Sequence, residues 1–441
     1  MLWRLLLAAY CCSTAASSQQ IRPQYIWVEL GPPADRKQAF QILARYAGAE
    51  GGQCPNILLD GKGRRMIRRP PTGTFGALIC ETVVPLAVRS ASIRGQSLPL
   101  PKWGKRAKPN VVVVGDTGCR IKKGSDDPAQ TGARAQWNVQ NCASPKDWPF
   151  EEVARSAANT KPDLVIHVGD YLYREKSCTG VKGCPGGPAG DTLETWAADF
   201  FIPAQALLRA APWIFVRGNH ETCERSGNGW FSLLEPRAAP VCKDYSDPYL
   251  IQAGKLPLVV VDDSTATDAL CPAGDAACNA QFDIEVEKYA DQFGIVAGWN
   301  LEGAWLLSHR PVWSVKGGRA GLEMLNAVLE TAWDRARPTG VDLLLAGHTH
   351  TFELVGFTPE SGRVTQLVIG NSGTKLVPRF KFDGQSAVAQ RAGIQNFRDV
   401  QDFGFTTLSP GEDTWKIEAH DRTGTVQFAC ALPFTAERCG R

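Results

Sequence analysis

From residue 111 onward, short uninterrupted apolar runs recur along the chain: Val111–Val114, Leu164–Val168, Trp213–Val216, Leu258–Val261, Trp305–Leu307 and Leu343–Ala346. Stretches with helical spacing lie between them, among them FEEVARSAAN (150–159) and AGLEMLNAVLETAWDRA (320–336). Continuous apolar strands alternating with helices indicate a sheet buried on both faces, so this part is read as a layered α/β unit. TWKIEAHD (414–421) and TVQFACALPF (425–434) read as antiparallel strands closing it. Residues 175–203 and 222–250, rich in Gly, Pro and Cys, read as loop insertions over one face.

Residues 21–100 have a different character. Phe40, Ile42, Ala44 and Tyr46 alternate with Gln41, Leu43 and Arg45, which is strand period two, and ETVVPLAVRS is also β-leaning. A small β-rich domain is expected at 19–105, joined through the proline-bearing stretch 98–110 to a larger domain at 106–441. The 441-residue length allows both. Ahead of them, MLWRLLLAAYCCSTAASS has one basic residue, Arg4, an apolar stretch from Leu5 to Cys12, and then small residues. This is a secretory signal pattern at 1–18, with cleavage between Ala16 and Ser18, and its apolar stretch is too short to span a bilayer.

Cysteine usage points the same way. Setting aside Cys11 and Cys12 leaves 12 of the 14, an even number. They lack paired C-x-x-C units, which favours disulfides in an oxidising compartment over zinc ligation. Sequence leaves the connectivity open; the simplest pairing is between near neighbours, Cys54–Cys80, Cys119–Cys142, Cys178–Cys184, Cys223–Cys242, Cys271–Cys278 and Cys430–Cys439. The charge, 48 basic against 45 acidic residues, is near balance, which argues against nucleic-acid and acidic-membrane partners. The one basic run, GKGRRMIRR at 61–69, reads as a solvated turn.

The chemistry lies just past the ends of the apolar runs. VVVV leads into GDTGCR with Asp116; LVIHV into GDYLYRE with Asp170, Tyr173 and Arg174; WIFVR into GNHE with Asn219 and His220. WLLS leads into His309, and LLLA into GHTH with His348 and His350. In open α/β sheets the carboxyl ends of strands converge on one crevice, so these five segments deliver their side chains to one edge. Four of the six histidines fall there. A lone histidine or a lone GD turn is ordinary; five such segments in order point to a pair of metal ions. His167, on the strand before GD, is expected to be buried and hydrogen-bonded, and His420 lacks a site-like context. Asp262 and Asp263 read as a turn at a strand end, and IGNSGTK (369–375) as a glycine-rich loop near the metals.

The ordered series GDTG, GDYLY, GNHE, strand-end His and GHTH resembles the calcineurin-like metallophosphoesterase superfamily over residues 108–376, and within it the purple acid phosphatases. GDTG lacks the Asp-x-His opening of many superfamily members, and Tyr173 fits the GDxxY pattern in which a phenolate ligates ferric iron. The resemblance implies a four-layer α/β/β/α fold. It implies one metal held by Asp116, Tyr173 and His350, a second by Asn219, His309 and His348, and Asp170 bridging both. The ions implied are Fe(III) and a divalent Fe, Zn or Mn. A metal-bound hydroxide would attack the phosphorus of a small-molecule phosphate monoester, with His220 stabilising the transition state or protonating the leaving oxygen beside Asp170 and Asn219. Plant members carry further histidines that hold substrate; HRPVWSVKGGR (309–319) has none after His309, so Arg174, Arg310, Lys316 and Arg319 are the candidates for that task. The implied location is secreted or periplasmic, with no nucleic-acid partner and no membrane contact after signal removal. The rivals are a phosphodiesterase or nucleotidase with Mn or Zn, and a non-catalytic binding protein with a metal-stabilised core.

Overall fold

The computed structural model describes residues 24–34, 38–104, 107–123, 137–180, 184, 186–268, 271–318, 321–324, 326–412 and 414–440. The expected signal peptide, Cys11, Cys12 and Arg319 lie outside the described residues.

The N-terminal region supplies β1 (Tyr25–Gly31), β2 (Gln41–Gly48), β3 (Ile67–Arg69) and β4 (Leu78–Val84); β5 (Val111–Val114), β6 (Leu164–His167) and β7 (Trp213–Phe215) come next. The middle of the chain supplies β8 (Tyr249–Ala253), β9 (Leu256–Val260), β10 (Ala304–Leu307), β11 (Val341–Ala346), β12 (Phe352–Phe357), β13 (Thr365–Ile369) and β14 (Ile394–Val400). Last come β15 (Gly404–Pro410), β16 (Trp415–Asp421), β17 (Val426–Ala431) and β18 (Cys439–Gly440). They form two large sheets. Sheet I has the order β18-β17-β16-β15-β5-β6-β7-β1-β2-β4-β3, and sheet II the order β8-β9-β10-β11-β13-β12-β14. The β5–β6–β7 and β9–β10–β11–β13 sets are parallel, so their carboxyl ends share an edge within each sheet.

Side-chain alternation explains the layers. Val111, Val113, Leu164, Ile166 and Ile214 face inward and pack against Leu258, Val260, Trp305, Leu307, Leu343 and Leu345 of sheet II. Their sequence neighbours Val112, Val114, Val165, Trp213 and Phe215 face the other way, onto helix α1 (Phe150–Asn159) and onto Trp196 and Phe200. Helix α1 buries Phe150, Val153, Ala154 and Ala157, the i, i+3, i+4, i+7 stripe, and carries Glu151 and Glu152 where the positive end of its dipole favours them. On sheet II, Val259, Leu306 and Leu344 face α2 (Ala276–Ala297) and α3 (Ala327–Ala336) through Val286, Phe293, Leu329 and Trp333. Strands buried on both faces have no polar side to alternate, and the result is the expected α/β/β/α sandwich.

The N-terminal region is β-rich, as read, and its strands extend sheet I. β1 pairs in parallel with β7, through Glu29 and Trp213, and β2, β4 and β3 continue outward. The period-two alternation in β2 therefore does not mark a wet face. Arg45 is fully buried, paired with Glu29 and Glu81 and donating to the carbonyls of Leu233 and Glu235. Four short strands (Asn56–Leu59, Lys62–Arg65, Ala91–Ile93, Gln96–Ser97) form a separate small sheet.

Three local expectations give way. The run 61–69 is not a solvated turn but two strands, and Arg69 is buried against Glu81. In 320–336 the helix begins only at Ala327, because Gly321–Met324 pairs with Val315–Gly318 as a hairpin. The insertions 175–203 and 222–250 contain helical turns, Leu193–Trp196 running into Ala197–Phe201, and Gly227–Leu233, which pack Trp196, Phe200 and Trp230 onto sheet I. Six disulfides close, Cys54–Cys80, Cys119–Cys142, Cys178–Cys184, Cys223–Cys242, Cys271–Cys278 and Cys430–Cys439. Among the described residues no helix is long and apolar enough to cross a membrane.

Candidate metal centre

The carboxyl ends of β5, β6, β7, β10 and β11 meet along one rim, and the chain turns there in a costly way. Asp116 (φ 54°), Asp170 (φ 61°) and His348 (φ 69°) all occupy the left-handed region, which a residue with a Cβ adopts only when its surroundings impose it. Gly169 is at φ 99°, and a Cβ there would collide with the His309 ring, so the approach of the two strand ends requires glycine.

Two donor sets result, sharing one residue. Oxygen and nitrogen atoms of Asp116, Asp170 and His350 lie within 4.8 Å of one another, and so do those of Asp170, His309 and His348. The Tyr173 hydroxyl joins the first set, donating to Asp170 Oδ2 at 2.8 Å and lying 3.1 Å from Asp116 Oδ1 and 3.0 Å from His350 Nε2. The Asn219 side-chain oxygen joins the second, 3.0 Å from His309 Nε2 and 2.9 Å from His348 Nδ1. Each imidazole has its other nitrogen tied off. His309 Nδ1 donates to the Val168 carbonyl at 2.8 Å, His350 Nδ1 to that of Lys375 at 2.9 Å, and His348 Nε2 meets Asp268 Oδ2 at 2.8 Å. That leaves one nitrogen of each ring facing the cluster, as outer partners do in metal sites.

The field of the cluster asks for positive charge. Burial would depress His309, but Asp170, then Asp116 and Asp263, outweigh it and lift the imidazole to about 10. Burial would raise Asp170; His309 and His220 outweigh it and hold the carboxyl well below its ordinary range. Burial, then Asp170 and Asp116, push the Tyr173 phenol well above its ordinary value. Buried carboxylates, a phenol, an amide oxygen and oriented imidazoles suit cations, with the oxygen-rich set fitting the harder ion.

A family model for calcineurin-like phosphoesterases matches residues 109–352, more than half of the chain. The chain belongs to that family. Among solved structures, this phosphoesterase is similar to the purple acid phosphatase PPD1 isolated from yellow lupin (Lupinus luteus) seeds, with a TM-score of 0.55 and 12% identity over 95% of this chain and 77% of that one. It is also similar to PhoD, with a TM-score of 0.53 and 12% identity over 94% of this chain and 91% of that one. At such identity the likeness speaks to the fold. No curated protein sequence matches the chain.

Several carboxylates brace the donors of this phosphoesterase. Glu221, the last residue of GNHE, accepts the backbone N–H groups of Gly218, Asp170, Tyr171 and Leu172 at 3.1, 3.1, 2.9 and 3.2 Å, locking the β6 and β7 loops together. Asp263, read as a turn residue, accepts those of His309 and Arg310 at 3.0 Å each, while its neighbour Asp262 pairs with Arg217. In IGNSGTK, Ser372 accepts from Gly115 N–H at 3.2 Å and Thr374 N–H donates to the Asp116 carbonyl at 2.8 Å, so the loop fixes the first aspartate's turn. Asp268 and Asp199 belong to no motif, and only the folded chain reveals them.

His220 stands at the rim. Its backbone N–H donates to Asp170 Oδ1 at 2.8 Å, its ring lies 3.7 Å from the Tyr173 ring, and its Nδ1 is 2.6 Å from Glu175, which also accepts from Arg225 Nε at 2.7 Å. Of the three arginines expected to hold substrate, Arg174 and Arg310 lie among the described residues. Arg310 Nη1 lies 3.1 Å from His348 Nε2 and 2.5 Å from Asp268, beside the second donor set. Arg174 is buried and paired with Asp199 at 2.5 Å, and Asp199 also accepts from the Tyr173 and Arg174 N–H groups. Arg174 thus braces the tyrosine loop, its guanidinium held by Asp199 as that of Arg310 is held by Asp268. Lys316 lies on the Val315–Gly318 strand of the hairpin. His167 is buried, bonded to Thr117 at 2.9 Å and stacked on Tyr171, and His420 pairs with Thr407 on sheet I, both apart from the donors.

Proposed function

We propose that this phosphoesterase is an exported hydrolase that holds two metal ions and cleaves phosphate monoesters. The observation that carries the reading is Asp170, one carboxylate common to two donor sets, the first with Asp116, His350 and the Tyr173 hydroxyl, the second with His309, His348 and the Asn219 oxygen. Asp116, Tyr173 and His350 would hold one ion with Asp170; Asn219, His309 and His348 would hold the other. Tyr173 favours Fe(III) in the first position, and the imidazole-rich second set favours divalent Fe, Zn or Mn. When bound, the pair supplies Lewis acidity and lowers the pKa of water to near neutrality.

The chain's own residues would do the rest. Asp268 and the Val168 and Lys375 carbonyls keep the imidazoles oriented, and Asp263 holds the His309 backbone. His220, positioned by Glu175 and set against Tyr173, supplies a proton to the leaving oxygen or a hydrogen bond to the transition state. Arg310, beside His348, offers a positive group to the phosphoryl oxygens. The signal-like pattern of residues 1–18 and six disulfides support export, and residues 19–105 are read as a β-rich unit built onto a catalytic domain at 106–441.

The test is hydrolysis of aryl phosphate mono- and diesters by the wild type and Asn219→Ala, with metal content measured alongside. Monoester turnover that collapses in the variant supports the reading. Preference for diesters in a colourless protein that keeps its activity in Tyr173→Phe favours a Mn or Zn diesterase, and metal binding without turnover favours a binding protein.

A further inference from the structure

The near balance of charge that argued against an acidic-membrane partner hides one local concentration of positive charge, far from the metal centre. Residues 61–69 hold five of the 48 basic residues and none of the 45 acidic ones, leaving 43 against 45 elsewhere. Arg69 pairs with Glu81, but Lys62, Arg64, Arg65 and Arg68 are exposed, and their side chains have no ion-pair or hydrogen-bond partner among the described residues. The fold displays them on two open edges, since β3 ends sheet I and Lys62–Arg65 ends the small sheet, with Met66 between. Apolar side chains stand among them. Ile67 is 68% exposed and Val83 47%; Ile67 pairs with Glu81 across β3 and β4, which puts Val83 on the same face two residues along. Arg64, Ile67, Arg68 and Val83 line a common groove of about 250 Å³.

Charged edge strands alone would serve to block edge-to-edge pairing. That role gives no reason to expose Ile67 and Val83, which a surface meant only to repel would avoid. We propose that this edge docks on a bilayer rich in anionic phospholipid, the arginines on the phosphates and Ile67 with Val83 entering the acyl boundary. Basic side chains beside exposed apolar ones suit such an interface, whereas a soluble polyanion gains nothing from the apolar pair. β3 lies beyond β1, β2 and β4 from β7, roughly 20 Å at ordinary strand spacing, so docking leaves the strand-end rim free.

Vesicle co-sedimentation tests this, with the chain produced from residue 19 so that the apolar leader cannot insert. Binding to phosphatidylglycerol vesicles but not phosphatidylcholine is expected, weakening between 50 and 300 mM salt. Arg64→Ala/Arg68→Ala should weaken it by about tenfold or more, and Ile67→Ser by about threefold or more, with aryl phosphatase activity unchanged as the control for folding. Free inorganic phosphate at millimolar concentration should compete weakly. Equal binding to both vesicles, no binding, or unaltered binding by the arginine variant overturns the proposal. So does binding to polyphosphate or DNA as tight as to vesicles, with Ile67→Ser without effect, which would assign the edge to a polyanion.

Discussion

At the scale of single residues, the site separates donors from the groups that hold donors still. Asp268→Ala removes the partner of His348 Nε2 and leaves the imidazole free to turn, so affinity for one metal should fall roughly 10–100-fold, read by chelator titration. His220→Ala should behave differently: turnover falls by about 10²–10⁴ while both metals stay, because the ring belongs to neither donor set. Loss of metal in that variant would make His220 a ligand. The convergence of these side chains was legible in the sequence, because each sits in a short motif at the end of an apolar run. Asp199 and Asp268 were not, since one reaches the site from the 175–203 insertion and the other from the stretch after β9, and no local pattern fixes either path. Arg174 was read from its adjacency to Tyr173, and its pairing with Asp199 is a further contact that the motif alone did not reveal.

At the scale of elements, the strands at the core were visible because burial on both faces leaves them wholly apolar. The hairpin inside 320–336 was hidden by leucines that fit either period, and α2 by an exposed first half that buries residues only from Val286 onward. β12 shows what burial does to a charge. Glu353 accepts from Ser314 Oγ at 3.0 Å, yet burial outweighs that bond and the Val315 N–H and pushes its carboxyl from 4.5 up to about 8. Between those values the native state keeps a proton that the unfolded chain releases. Its contribution to stability is therefore full below 4.5 and is lost as pH rises to 8. Glu353→Gln, neutral throughout, should gain stability relative to wild type across that interval in urea midpoints measured at successive pH values. A constant difference would mean that Glu353 is ionised in the fold.

At the scale of the whole molecule, two sheets carry a rigid rim and the disulfides pin what surrounds it. Cys54–Cys80 joins the approach to the small sheet to β4 across 26 residues, so Cys54→Ser/Cys80→Ser should cost about 3 kcal/mol, seen as a lowered Tm with metal content retained. The extension of sheet I by the N-terminal strands was illegible in sequence, because strand pairing between Glu29 and Trp213 is a long-range choice that no window contains. The central claim remains that this frame grips two cations through a common aspartate. Metal content per chain, by elemental mass spectrometry, tests it most directly: two ions in the wild type, one each in His348→Ala and His350→Ala, and none in Asp170→Asn. A single ion in fully active protein, or both ions kept by Asp170→Asn, would contradict it.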